Sequence, residues 1–243
     1  FFDCWSPDMV LRPFKIPEHW NKFRALDWGS AKPFSVGWWA VASEEFETPD
    51  GDVIPDRALV RYREWYGVKF KANGMKMPNT GIRLDAEELA RGIMEREDEK
   101  VMLGPAGPDI WKVDGGPSIA ERTLKLGVGW RKADTGRLNG WDQMRGRMKG
   151  DLEGRPMIYC FEGCVDSIRT IPMLMHDERH PEDLDTDGED HACDEWRFAC
   201  MSRPWKRPLP QPERDLFEQA GITFNEIMNE ANEPHDIDWG KRI

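Results

Sequence analysis

The sequence lacks the signatures of several protein classes. No apolar run approaches the roughly 18 residues that a membrane-spanning helix needs, and residues 1–5 show neither the basic nor the apolar region of a secretory signal. Five cysteines are an odd number without disulfide-framework spacing, which favours a reducing compartment. The chain also lacks the Gly-x₄-Gly-Lys-Ser/Thr, Gly-x-Ser-x-Gly and His-Glu-x-x-His motifs. We therefore predict no phosphate-loop ATP binding, acyl transfer or zinc proteolysis.

What the sequence does contain indicates a folded intracellular protein. Its 243 residues are enough for one large domain or two small ones with a sizeable core. Twelve Trp and eleven Phe residues are typical of a folded chain, since disordered segments are poor in aromatic residues. Because the sequence starts at Phe1 rather than at Met, we expect it to be part of a longer polypeptide.

The negative charge is concentrated in one segment. The chain has 34 basic and 45 acidic residues and a net charge of −11. Ten acids and one Arg lie between Asp177 and Glu195, so this segment carries −9 and the rest of the chain only −2. Such a run is typical of a solvated loop, but also of a divalent-metal site. The acidic balance therefore does not exclude a nucleic-acid enzyme.

Apolar periodicity predicts an alternation of strands and helices. Strands are expected at 24–28, 35–42, 57–66, 101–103, 128–130 and 157–161, and helices at 84–96, 118–126, 139–148, 164–174 and 190–201. Ser118 and Glu121 have the spacing of a capping box. The pattern predicts an α/β fold, a mixed sheet with helices on both faces, over residues 1–203. The Pro-rich residues 204–243 are expected to form a tail.

Four carboxylates occupy positions from which they could reach one edge of this sheet. Asp27 ends the first predicted strand, Asp109 follows the Gly104–Pro108 loop, and Asp190 and Asp194 share one face of the last predicted helix. Each also has an ordinary structural explanation, as a turn cap, a loop acid or a solvated helix face. Together they form the hard-oxygen environment that Mg²⁺ or Mn²⁺ prefers.

Two other metal motifs are weaker. Asp183-x-Asp185-x-Asp187-Gly188 matches the first half of a calcium-binding EF-hand loop, but its twelfth position is Asp194 instead of Glu, and Pro181 interrupts the entering helix. Cys160 and Cys164 with His191-x-Cys193 could build a zinc site. However, Cys160 lies in an apolar strand, where cysteine commonly packs as a small hydrophobic residue.

Four segments, taken in order, resemble the C-terminal nuclease domain of tailed-phage terminase large subunits over residues 20–203. They are Arg24-Ala-Leu-Asp27-Trp-Gly, Asn79-Thr-Gly-Ile-Arg83-Leu, Ala133-Asp134 with Arg137-Leu-Asn-Gly-Trp141, and Glu189-Asp-His-Ala-Cys-Asp-Glu-Trp-Arg197. The resemblance implies a ribonuclease H-like fold and a metal-dependent endonuclease that cuts concatemeric double-stranded viral DNA during genome packaging. It also implies two Mg²⁺ or Mn²⁺ ions held by Asp27, Asp109, Asp190 and Asp194.

One motif departs from the family pattern. That pattern places an Asp within a Gly-Pro-Ala-Asp or Asp-Pro-Ala segment, whereas this chain has Gly104-Pro105-Ala106-Gly107. Asp109 is the nearest carboxylate and is the expected substitute. The alternatives are therefore a non-catalytic DNA- or portal-docking module with a degenerate site, or a ribonuclease H-like resolvase.

The resemblance also implies partners and a location. Double-stranded DNA would be contacted through phosphates by short basic groups, namely Arg145, Arg147, Lys149, Arg203, Lys206 and Arg207. An ATPase domain is expected before residue 1, with a small terminase subunit and a portal protein as partners. The expected location is the host cytoplasm, without membrane association.

Overall fold

The computed structural model describes residues 1–206, in which eight strands precede the first α-helix and strands and helices alternate only from there to α4. The strands are β1 (Val10–Leu11), β2 (Asn21–Asp27), β3 (Ser35–Val41), β4 (Phe46–Glu47), β5 (Val53–Ile54), β6 (Leu59–Tyr66), β7 (Val68–Phe70), β8 (Lys76–Gly81), β9 (Pro105–Ala106), β10 (Arg131–Lys132) and β11 (Ile158–Phe161). The helices are α1 (Ala86–Met94), α2 (Ile119–Lys125), α3 (Arg137–Lys149), α4 (Val165–Thr170) and α5 (His191–Ser202).

Seven strands form the central mixed sheet, in the order β1-β11-β6-β3-β2-β9-β10. Strand β3 runs antiparallel to its neighbours β2 and β6, while the other pairs are parallel. The carboxyl ends of β2, β9 and β10 therefore meet at one edge of the sheet. In open α/β sheets, this is the edge at which functional sites form.

Adjacent residues of β3 pack into the two apolar clusters on opposite faces of the sheet. Trp39 packs on one face of the sheet with Trp141 of α3 and Trp196 of α5. Trp38 packs on the other face with Leu89 of α1 and with buried residues of α2. Successive side chains of a strand point to opposite faces, so a strand buried on both sides is continuously apolar. The predicted α/β layering is confirmed.

Local signals placed the helix ends correctly. Ser118 accepts a hydrogen bond from the Glu121 N–H, and the Glu121 side chain accepts from the Ser118 N–H, which is the predicted capping box. The corresponding box at α1 joins Asp85 and Glu88. The helix interrupted at Pro172 is also confirmed, since α4 ends at Thr170 and one 3₁₀ turn follows.

Two predicted strands are displaced, and strand β1 and the two hairpins β4–β5 and β7–β8 were not predicted. The strands expected at 101–103 and 128–130 lie at 105–106 and 131–132, although Met102 forms an isolated parallel bridge with Phe23 of β2. Leu103 is 46% exposed despite its apolar side chain. The hairpin of β7 and β8 was missed because Lys76-Met-Pro-Asn lacks an apolar alternation. Its Asn73-Gly74 turn, with Gly74 at φ +78°, carries a sequence signal that could have revealed it.

In the described part of the chain, no helix is both long enough and apolar enough to cross a bilayer.

Beyond α5 the described chain continues to residue 206, and the Trp205 N–H donates to the Gln143 side chain at 2.9 Å. Most of the expected tail, including Arg207, lies outside the described residues. The domain boundary at residues 203–204 stays a prediction.

Candidate functional site

Asp27 occupies the centre of the carboxyl edge of the sheet. It is the last residue of β2, and its side chain is 13% exposed. Burial raises the pKa of Asp27 to about 7; the hydrogen bond with His191 lowers it, and the negative charges of Asp194 and Asp190 raise it. Asp27 is thus a largely enclosed carboxyl group close to two others.

The start of α5 supplies those two carboxylates. Asp190 is the N-cap residue, but its side chain makes no capping hydrogen bond. Burial raises the pKa of Asp190 to about 6, and the charge of Asp194 adds to this. Asp194 lies one turn further along the helix and accepts hydrogen bonds from Arg197 at 3.0 and 3.1 Å. The predicted sharing of one helix face is therefore observed.

His191 lies between these carboxylates and was not predicted as a member of this site. Its Nδ1 is 3.2 Å from Asp27 Oδ2 and 3.9 Å from Asp190 Oδ1, and its Nε2 is 3.2 Å from Asn79 Oδ1. Burial lowers the pKa of His191, but the bond to Asp27 and the nearby carboxylates outweigh it and raise the pKa overall. The signal available in the sequence was a histidine inside Asp190-His-Ala-Cys-Asp194.

Two arginines compensate part of this negative charge. Arg197 is buried, stacks 4.9 Å from the Trp141 ring centroid, and donates to the Thr135 carbonyl as well as to Asp194. The Arg137 guanidinium is held mainly by Asp183, at 2.8 Å. Each arginine therefore has other partners besides the cluster of Asp27, Asp190 and Asp194.

Asp109 is not brought into this cluster. It lies in a 3₁₀ turn after β9, is half exposed, and pairs with Lys112 at 2.5 Å. The residue that does approach Asp27 is Gly107, since a Cβ built on it would lie 3.4 Å from Asp27 Oδ1. The role of Asp109 as the second-motif carboxylate stays a prediction that this placement does not favour.

The acids of the EF-hand-like segment are used inside the fold. Asp183 accepts hydrogen bonds from Arg137 and Trp141, and Arg137 and Trp141 help to hold its pKa at about 2 despite burial. The Asp185 carboxylate accepts from the Asp187 N–H. These bonds are those of an ordered loop, which is the structural alternative to a metal site for this acidic segment.

The cysteines considered for zinc are buried and free. Burial raises the pKa of Cys164 to about 12 and also raises the pKa values of Cys160 and Cys193. Cys160 belongs to the apolar cluster around Trp39. Protonated thiols in such surroundings act as packing groups.

The predicted DNA-contacting residues lie away from the carboxylates. The charges of Asp190 and Asp194 help to raise the pKa of Arg137, so the start of α3 lies near these carboxylates. The helix has 13 residues, and its other end lies about 18 Å from this start. That distant end carries Arg145 and Lys149, and the end of α5 carries Arg203 with Lys206 after it.

Arg147 is enclosed at this distant end. It is 2% exposed, and its guanidinium donates to the carbonyl oxygens of Arg57, Met157 and Arg203. These bonds join the ends of α3 and α5, and they leave Arg147 no surface from which to contact a phosphate.

The donor set suits a hard divalent cation, although the side chains are not gathered around one point. Among residues 1–206, no group of three or more His, Cys, Asp or Glu side chains has the closeness of a metal site. Asp27 bonds His191 and Asp194 bonds Arg197 instead. Carboxylate oxygens are nevertheless the ligands that Mg²⁺ and Mn²⁺ prefer. Burial raises the pKa values of Asp27 and Asp190, and the neighbouring carboxylates raise them further.

Solved structures match this chain in fold, whereas no protein-family model and no curated protein matches the sequence. The large terminase of a thermophilic bacteriophage aligns with a TM-score of 0.59 at 15% identity, over 82% of this chain and 44% of that protein. The P22 large terminase nuclease domain aligns with a TM-score of 0.56 at 18% identity, over 85% of this chain and 93% of that domain.

These likenesses define the fold class. The chain has the α/β, ribonuclease H-like fold of large-terminase nuclease domains, which confirms the fold predicted from the sequence motifs. It spans less than half the length of the phage large terminase that it matches.

Proposed function

We propose that this chain is a metal-dependent endonuclease that cuts double-stranded viral DNA during genome packaging. The observation that carries the proposal is that the charges of Asp190 and Asp194 act on Asp27 at the carboxyl edge of the sheet, in a fold like that of a terminase nuclease domain. The P22 relative is named as a nuclease domain, and the other as a large terminase. By analogy, an ATPase domain, a small terminase subunit and a portal protein would be the partners.

The chain's own residues would perform distinct tasks. Asp27 is held by a central strand and would be the most rigid ligand, with Asp190 and Asp194 completing the set from α5. These carboxylates would hold the divalent cations, which would supply an activated water and charge stabilisation for the leaving oxygen. His191 would keep the Asp27 carboxylate oriented.

Basic residues beyond the site would bind DNA phosphates. Lys149 and Lys206 are exposed, whereas Arg145 and Arg203 are half-buried. Arg145 and Lys149 lie about 12 and 18 Å beyond the start of α3, and Arg203 and Lys206 follow the end of α5. A duplex reaching from the start of α3 to Lys149 would extend over about five base pairs at 3.4 Å each. Such contacts are sequence-independent, so DNA binding should weaken as the salt concentration rises.

A plasmid-nicking assay with Mn²⁺ and with EDTA tests the proposal. Asp27→Asn removes a charge with little change in volume, so we expect a loss of cleavage greater than about tenfold with an unchanged circular dichroism spectrum. The matched control is Asp142→Asn on α3, whose carboxylate is 79% exposed. Retention of more than about a tenth of the activity in Asp27→Asn would contradict the assigned role.

A second function, a non-catalytic docking module, is favoured by one observation. Asp109 pairs with Lys112 instead of joining Asp27, and Gly107 approaches Asp27 without a carboxylate. If the wild-type chain binds DNA but does not nick it with Mn²⁺, the docking module is the better assignment. Parallel assays on linear duplexes and Holliday junctions would distinguish the packaging nuclease from a resolvase.

A further inference from the structure

Asn79 of β8 connects the hairpin to the candidate site. Its side-chain Nδ2 donates to the carbonyl oxygens of Asp187 at 3.4 Å and Gly188 at 3.2 Å, and its Oδ1 is 3.2 Å from His191 Nε2. The Asn79 backbone has φ +54°, a left-handed conformation that Asn tolerates better than most residues. Both the side chain and the backbone therefore suit Asn at this position.

These contacts determine which nitrogen of His191 carries a proton towards the hairpin. Because the Asn79 amide nitrogen donates to two carbonyl oxygens, the amide oxygen is the atom that faces His191. An amide oxygen can only accept, so His191 Nε2 is the donor. The opposite ring nitrogen, Nδ1, then faces Asp27 Oδ2 at 3.2 Å. The orientation of the imidazole ring against Asp27 is therefore set from β8.

The hairpin itself is held on two sides. Lys76 Nζ is 2.6 Å from Asp166 Oδ1 in α4. The Gly81 N–H donates to the Ala31 carbonyl at 2.8 Å, in the loop that directly follows β2. The hairpin thus contacts the segment after Asp27 and, through Asn79, the segment before α5.

We propose that Asn79 is a positioning residue of the candidate site. It orients His191 against Asp27 and attaches residues 187–188, which lead into α5, to the hairpin. The consequence for cleavage rests on the proposed nuclease function, whereas the consequence for the His191 ring holds in the metal-free protein. The two can therefore be tested separately.

The first experiment measures the His191 ring nitrogens by ¹⁵N NMR in the full metal-free chain, with His191→Gln to assign the signals. In Asn79→Gly, which removes the side chain and permits the positive φ, we expect the slowly exchanging Nε2 proton to be lost. The control is Asn73→Gly in the turn of the same hairpin, whose side chain bonds Met75. Unchanged His191 signals in Asn79→Gly, or an equal change in the control, would overturn the proposal.

Asn79→Asp separates the two contacts. A carboxylate still accepts from His191 Nε2 but cannot donate to the carbonyl oxygens of Asp187 and Gly188. We expect this variant to keep the Nε2 proton and to show faster amide hydrogen exchange at residues 189–192. If residues 189–192 of Asn79→Asp exchange at the wild-type rate, Asn79 does not attach this segment to the hairpin. This test remains valid even if Asn79→Gly does not fold.

The second experiment is steady-state plasmid nicking with Mn²⁺. Misoriented site residues should lower kcat of Asn79→Gly by about tenfold or more and change KM by less than about twofold, since DNA binding is carried elsewhere. A wild-type chain that does not nick DNA would refute the proposed nuclease and leave the NMR result standing. A wild-type kcat in Asn79→Gly, with active wild-type protein, would refute the positioning role in catalysis.

Discussion

Replacement of Arg61 by Met should strongly destabilise the fold. Arg61 lies in β6 without solvent exposure, and its guanidinium contacts Glu195 Oε2 at 2.8 and 3.0 Å and Glu64 Oε1 at 2.5 Å. Glu195 is equally buried, and Glu64 is 3% exposed. Removal of the guanidinium would leave two buried carboxyl groups without their cation.

The size of the effect follows from the burial of this triad. Removal of one partner from a buried ion pair costs about 3–5 kcal/mol. Burial raises the pKa of Glu195 to about 7 from an ordinary 4.5, even though Arg61 and Trp39 lower it. Between pH 4.5 and 7 the folded state keeps the Glu195 proton that the unfolded state releases. The free energy of unfolding therefore falls as the pH rises through this range, by up to about 1.4 kcal/mol per pH unit. Loss of Arg61 raises this pKa further, so the deficit should be larger at pH 8 than at pH 5.

Urea unfolding at both pH values measures the deficit. We expect Arg61→Met to lose about 3–5 kcal/mol of unfolding free energy at pH 8 and clearly less at pH 5. Addition of Glu195→Gln should restore part of the loss at pH 8. The control Arg12→Met removes a guanidinium that is 75% exposed, and should cost less than about 1 kcal/mol. A loss at pH 8 below about 1 kcal/mol, or equal losses at both pH values, would refute this reasoning.

Three further predictions concern the same edge and its support. Gly37→Ala should lower stability by about 1–3 kcal/mol in thermal unfolding, because its Cβ would lie 2.4 Å from Glu195 Oε1; an unchanged melting temperature would contradict this contact. Millimolar Mn²⁺ should raise the melting temperature by binding the folded state, and Asp194→Ala should remove more of that rise than Asp190→Ala; the reverse order would reassign the ligand. Asp109→Ala should lower plasmid nicking by about tenfold if Asp109 serves as the second carboxylate; wild-type nicking would exclude that role.

Local interactions made much of the fold predictable from the sequence. The capping box at Ser118 and Glu121 forms between residues three apart, so it can be recognised without the rest of the chain. The apolar runs around Trp38 and Trp39 identify strands buried on both faces in the same way. Asp27 was singled out as a candidate site residue because it ends such a strand, where an unpaired carboxylate is uncommon.

Other predictions failed because burial and chain direction are tertiary properties. Leu103 is apolar yet exposed, and residues 101–103 pair with β2 only at the single Phe23–Met102 bridge, before β9 begins at Pro105. Arginine is usually a surface residue, but Arg147 is buried where the ends of α3 and α5 meet. Neither environment is encoded by the immediate sequence neighbours.

The candidate site combines a local relation between residues with contacts that depend on the tertiary structure. The sequence by itself determined that Asp190 and Asp194 share a helix face, because a helix repeats every 3.6 residues. Only the tertiary structure brought Asp27 to His191, which is 164 residues away, and His191 to Asn79, which is 112 residues away. Such contacts depend on the strand order and on the packing of α5 against the sheet, which set the distances between groups that no local pattern relates.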